Sequence, residues 1–208
     1  MLLVVALLSL GGAIAATVAK RSSGDGAAAV VTEVGIQGPK SPFQGAARPP
    51  APARPFALRD QDGRLVSLRA LRGRVVVLTP LYTHCRDTCP LVAQQIRAAL
   101  DDLSGSERSQ VSALALSVDP ANDTAASAKG FLLDQRVRGY LDFLLGSRPR
   151  LRPVWRAYGF SEQTGAREHN SYVVLIDRRG RQRVGFPVDF LTPESLTHDL
   201  RVLVREQA

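Results

Sequence analysis

The chain has 208 residues, 45% of them apolar, two cysteines and a formal net charge of +8. That length allows one domain with a sizeable core plus attachments, and argues against two full domains. The charge does not indicate nucleic acid. Lysine occurs only at Lys20, Lys40 and Lys129, arginines are scattered singly or in short pairs such as Arg178-Arg179, and no helix-long basic stripe with interleaved aromatics accompanies them. A basic, soluble surface is expected, one that favours acidic partners or anionic lipid headgroups.

Residues 2–19, LLVVALLSLGGAIAATVA, form a run without charge at the low end of what spans a bilayer. At the start of the chain and ahead of a polar linker, this run reads as a membrane anchor or signal segment rather than a core helix. Ala13 and Ala15 could supply a cleavage site, but no Lys or Arg precedes the run. Lys20 and Arg21 follow it, and by the positive-inside rule that pair holds the C-terminal side in the cytoplasm, in conflict with export unless the chain starts upstream. Residues 20–54 are rich in Ala, Gly and Pro and end in AARPPAPARP, the composition of a linker with a stiff polyproline tail. The folded domain is expected over residues 55–208.

FALRDQDGRLVSL predicts two short strands around an Asp62-Gly63 turn. RVVVLTPLY, from Arg74 to Tyr82, is a continuous apolar run that predicts a central strand buried on both faces. A helix is expected from about Cys89, with Leu91, Ile96, Leu100 and Leu103 near helical spacing and Pro90 in its first turn. Val111–Val118 predicts another buried strand, and a helix follows behind Asn122, Asp123 or Thr124 as its cap. DFLLG reads as a short strand, RPVWRAYGF as a short helix, SYVVLID and RQRVGFP as a hairpin turning over Asp177 to Gly180, and TPESLTHDLRVLVRE as a closing amphipathic helix. The β-α-β alternation predicts a mostly parallel sheet.

Cys85 and Cys89 lie where the buried strand hands over to a helix, the edge of an α/β sheet at which sites form. A structural disulfide over so tight a loop would contribute only about 2 kcal/mol. At a helix N-terminus the unpaired amides and the dipole favour thiolate, and Arg86 between the cysteines should act in the same direction. Thiolates serve both as nucleophiles of disulfide exchange and as soft ligands of copper(I). Of the three histidines, His84 adjoins Cys85 too closely to be a convenient second ligand, and His198 is expected to be solvated on the closing helix. His169 just precedes the strand SYVVLID, where it can stand near the cysteine corner. Two thiolates and one imidazole fall short of the four protein ligands of structural zinc, whereas copper tolerates three.

THCRDTCP (Thr83 to Pro90), SVDPANDT (Ser117 to Thr124) and EHNSYVVLID around His169 stand in an order that resembles the Sco/SenC family of membrane-anchored, thioredoxin-like copper chaperones assisting cytochrome c oxidase assembly. The resemblance covers roughly Phe56 to Glu206. It departs from the family pattern at Arg86, where proline is usual, at Glu168 and Asn170, and at Thr79-Pro80, where the family strand end is more aromatic. It implies an α/β, thioredoxin-like fold with a central mixed sheet flanked by helices and an N-terminal membrane segment. It further implies that Cys85, Cys89 and His169 bind copper(I) or copper(II). Asp119, Asp123 and Arg86 would be outer-shell or partner-facing, although the aspartates read equally well as a strand-end turn and helix cap. The implied partners are the copper-site subunit of cytochrome c oxidase, other periplasmic copper chaperones and a thioredoxin-like reductant, with the domain on the extracytoplasmic side of a membrane. The alternative is a thiol-disulfide oxidoreductase keeping the oxidase's copper-site cysteines reduced, with Cys85 and Cys89 as its redox pair. A third reading, a peroxidase of the same fold, would need one peroxidatic cysteine in a threonine-rich motif.

Overall fold

The computed structural model describes residues 41–164 and 172–206. In chain order these form β1 (Ala46–Pro52), β2 (Ala57–Arg59), β3 (Leu65–Ser67), β4 (Val75–Leu81), α1 (Thr88–Asp101), α2 (Gly105–Arg108), β5 (Val111–Ser117), α3 (Ala125–Asp134), β6 (Leu141–Leu144), α4 (Arg148–Tyr158), β7 (Tyr172–Ile176), β8 (Arg181–Pro187) and α5 (Pro193–Arg205). A six-stranded sheet has the order β1-β8-β7-β4-β5-β6, and β2 and β3 form a separate hairpin. All seven residues of β4 are buried, which is what a strand of Val and Leu without polar alternation requires at the middle of a sheet.

β4, β5 and β6 run parallel, while β7, β8 and β1 add antiparallel neighbours. The sheet is therefore mixed, not mostly parallel. After α4 the crossovers cease and a hairpin closes the fold, so the β-α-β reading holds only for its first half. This mixed α/β arrangement is the thioredoxin-like one.

Each face of the sheet buries its own core. On one face α1, α3 and α5 cover Val77, Leu81 and Val173 with Ile96, Phe131, Leu200 and their neighbours. On the other, α4 and the β2–β3 hairpin cover Val76, Leu78 and Leu116 with Leu58, Leu151, Trp155 and Tyr158. α1 buries Val92, Ala93, Ile96, Ala99 and Leu100, a stripe at three- and four-residue spacing. α3 and α5 start behind Thr124 and Thr192, each reciprocally bonded to a serine three residues on. Of the three cap candidates before α3, Thr124 takes the role. α4 stops at Gly159, whose φ of 74° is the left-handed conformation that ends helices.

The stretch expected to be linker up to Arg54 includes β1. Ala46–Pro52 pairs antiparallel with β8, with an irregularity between Ala47 and Ala51. It is an edge strand, the place in a sheet where prolines lacking N–H are tolerated. The preceding residues are fixed as well: the amides of Gln44 and Gly45 donate to the buried Asp199 carboxylate of α5 at 2.8 and 2.9 Å. Gly45 has to be glycine there, because a Cβ would lie 2.6 Å from Phe186 and Val184.

Pro80 sits within a central strand, where a missing donor is costly. Val75 N–H donates to Gln110 and Leu81 O accepts from Val118, so odd residues of β4 bond towards β5 and even ones towards β7. The absent N–H of Pro80 thus faces β7, where pairing stops at Leu78 with Val174. Proline ends that ladder at the edge where β7 begins. This accounts physically for how a proline is tolerated near the end of a central strand.

Among the described residues no helix is long and apolar enough to cross a membrane. Residues 2–19, expected to be an anchor or signal segment, lie outside the described residues.

Candidate metal centre

At Leu81 the central strand ends, and a short loop carries the chain into α1. Cys85 lies in that loop, half-buried, and Cys89 lies in the first turn of the helix, fully buried; no disulfide joins them. The Cys89 N–H donates to Cys85 Sγ at 3.2 Å, and the Cys85 N–H donates to the Tyr82 carbonyl at 3.4 Å. A helix N-terminus leaves such amides without intrahelical acceptors, so a sulfur at this position satisfies one of them.

The electrostatics of the two thiols differ sharply. The hydrogen bond from Cys89 is the largest influence on Cys85; with the amides of Asp87 and Cys89 and the Tyr82 side chain, it outweighs burial and lowers the thiol to about 5. The same hydrogen bond between the two sulfurs, followed by desolvation, pushes Cys89 strongly upward. The pair therefore shares one proton, with the charge on the more accessible sulfur. Arg86, expected to assist, is exposed and has no ion pair among the described residues. The main stabilisation of the thiolate comes from the loop itself.

What fixes this loop is Asp123. Its Oδ1 accepts from Thr83 N and Thr83 Oγ1, both at 2.8 Å, and its Oδ2 accepts from Ser117 Oγ at 2.6 Å. It is only 8% exposed, and desolvation raises its pKa above the ordinary value despite those donors. Asp123 is thus an internal brace between the end of β5 and the cysteine loop. Ser117 is held in turn, its carbonyl accepting from the indole N–H of Trp155 at 2.9 Å. Asp119 closes the turn with Asn122, whose Nδ2 donates to both its carboxylate oxygens at 3.0 and 2.8 Å. Sequence reasoning singled out the two aspartates but not Thr83, Ser117 or Trp155. The first two stand inside the quoted motifs, where their role could have been sought.

His169, with Glu168 and Asn170, lies outside the described residues. Tyr172, three positions later, begins β7 at the edge where β4 ends. Among the described residues no three Cys, His, Asp or Glu side chains converge as a ligand set. His84 is exposed, its Nδ1 3.1 Å from Thr83 Oγ1. His198, expected to be solvated, is 43% exposed and bonds through Nδ1 to Asp199 Oδ1 at 3.0 Å, so it belongs to the clamp on Gln44 and Gly45.

The SCO1/SenC family model matches residues 44–205. Among curated proteins, the mitochondrial SCO1 homolog 1 of Arabidopsis thaliana is 29% identical over 58% of this chain and 35% of its own length, and mitochondrial SCO2 of Saccharomyces cerevisiae is 26% identical over 61% and 44%. The chain thus spans less than half the length of these relatives. Among solved structures, Bradyrhizobium japonicum ScoI with copper bound is 29% identical with a TM-score of 0.58, over 74% of this chain and 99% of that one. Apo Sco1 from Thermus thermophilus is 25% identical with a TM-score of 0.64, over 80% and 99%.

Proposed function

Since this chain belongs to the SCO1/SenC family, we propose that it binds copper as cargo through Cys85, Cys89 and His169 and delivers it during cytochrome c oxidase assembly. The observation that carries this reading is the cysteine pair at the start of α1, where the Cys89 amide meets Cys85 Sγ at 3.2 Å. The donor set suits the ion: soft thiolates select copper(I), and a nitrogen beside them extends the site to copper(II). Cys85 offers its thiolate near neutrality, whereas Cys89 would release its proton to solvent as the metal binds. His169 would supply the imidazole, and its short sequence distance from Tyr172 supports that role. The brace through Asp123 and Thr83 keeps the loop in place while ligands exchange. The copper-site subunit of the oxidase is the proposed recipient, and residues 2–19 would hold the domain at the extracytoplasmic face of a membrane.

A second reading has its own support. An accessible thiol of low pKa beside a buried one of high pKa is the asymmetry of an attacking and a resolving cysteine, which favours thiol-disulfide exchange with the oxidase's copper-site cysteines. His169→Ala separates the two. Copper titration of the reduced full chain should show copper(II) binding collapsing and copper(I) binding weakening less, with exchange against a model disulfide retained. Loss of oxidase assembly in cells alongside this supports delivery. Assembly that proceeds normally without His169 would sink it and promote the redox reading.

A further inference from the structure

α4 carries a charge pattern that copper binding does not use. Its sequence, RPRLRPVWRAY, holds four arginines and no acidic residue. Arg152 and Arg156, one turn apart, line an open groove of about 600 Å³ together with Arg54, along a ridge made by Pro149 and Pro153. Two neighbouring arginines are already engaged: Arg148 pairs with Glu162 at 2.8 Å, and Arg150 donates to the Ala57 carbonyl at 3.1 Å. Arg54, Arg152 and Arg156 are exposed and have no carboxylate partner among the described residues. Three like charges gathered in one concavity repel each other, and an anion seated between them relieves that repulsion.

We propose that this groove receives the phosphodiester headgroup of an anionic phospholipid and thereby sets how the domain sits on a membrane surface. The choice of anion rests on the reading of residues 2–19 as a membrane segment. On that reading headgroup phosphates are the anions the domain meets at the membrane surface, and their negative charge complements the three guanidinium groups of the groove. The placement is compatible with copper exchange. α4 packs on one face of the sheet, and Cys89 belongs to the core on the other. None of the residues lining the groove belongs to the cysteine loop.

The full chain in neutral detergent, titrated with phosphatidylglycerol or phosphatidylcholine and followed by native mass spectrometry, tests this directly. A phosphatidylglycerol adduct beyond any seen with phosphatidylcholine is expected, and it should weaken with rising salt. Arg152→Glu should reduce its affinity at least five-fold, the factor that matches about 1 kcal/mol per basic residue near an anionic surface. Arg156→Gln should act in the same direction. Arg205→Glu makes the same charge change as Arg152→Glu at an exposed residue of α5 and should leave the adduct intact. Equal adducts with both lipids, equal losses in the Arg152 and Arg205 variants, inorganic phosphate binding as tightly as the lipid, or displacement by a Glu-rich peptide at lower concentration would each overturn the proposal. Copper binding by Arg152→Glu stays at the wild-type level in either case, so failure here is distinct from failure of the copper reading.

Discussion

At Cys85 a proton leaves near pH 5, while Cys89 keeps its own well above the ordinary thiol range. Between about pH 5 and the unfolded value of 9.0, the folded, reduced protein has lost a proton that the unfolded chain retains, so this contribution to stability rises with pH across that window. Above it the unfolded chain ionises Cys89 while the folded one does not, and the contribution declines. Urea unfolding of wild type and Cys85→Ser under reductant should diverge progressively from pH 5 to 9; parallel curves would contradict the thiolate at Cys85. Asp123 acts on the same loop through geometry. Asp123→Ala leaves three donors on Thr83 and Ser117 without their acceptor, and should cost about 2–4 kcal/mol in urea unfolding. Asp123→Asn keeps an acceptor for Thr83 and avoids burying charge, so its cost should be smaller.

Among the elements, those whose local chemistry matches their tertiary role were legible in the sequence. The Val run gave β4, the apolar stripe gave α1, and the Asp177 to Gly180 turn gave the final hairpin. β1 was not legible, because AARPPAP has the composition of a linker and becomes a strand only by pairing with β8 and by the hold of Asp199 on Gln44 and Gly45. Such contacts join positions some 150 residues apart, which no local pattern encodes. Asp199→Ala should therefore raise amide exchange at Gln44 and Gly45 and through Ala46–Pro52, while α1 and β4 remain protected. Unchanged exchange in β1 would show that β8 alone holds it.

For the molecule as a whole, the sequence located the cysteine corner because both thiols lie in one motif, and their unequal electrostatics emerged only once the α1 amides and Tyr82 were seen around them. A ligand that binds only the folded state adds stability by mass action. Free copper(I) at 100 times its dissociation constant should raise unfolding free energy by about 2.7 kcal/mol, and chelation should return it to the apo value. Thermal unfolding of loaded, chelated and Cys89→Ser protein checks this; a rise that survives in Cys89→Ser would place the copper elsewhere. Trp155, the single tryptophan, bonds to Ser117, Ser117 to Asp123, and Asp123 to the loop ahead of Cys85. An indole buried at one end of that chain and the loop ahead of Cys85 at the other give the protein an intrinsic fluorophore tied to its candidate metal centre, so that copper binding there should alter the indole emission without any added dye.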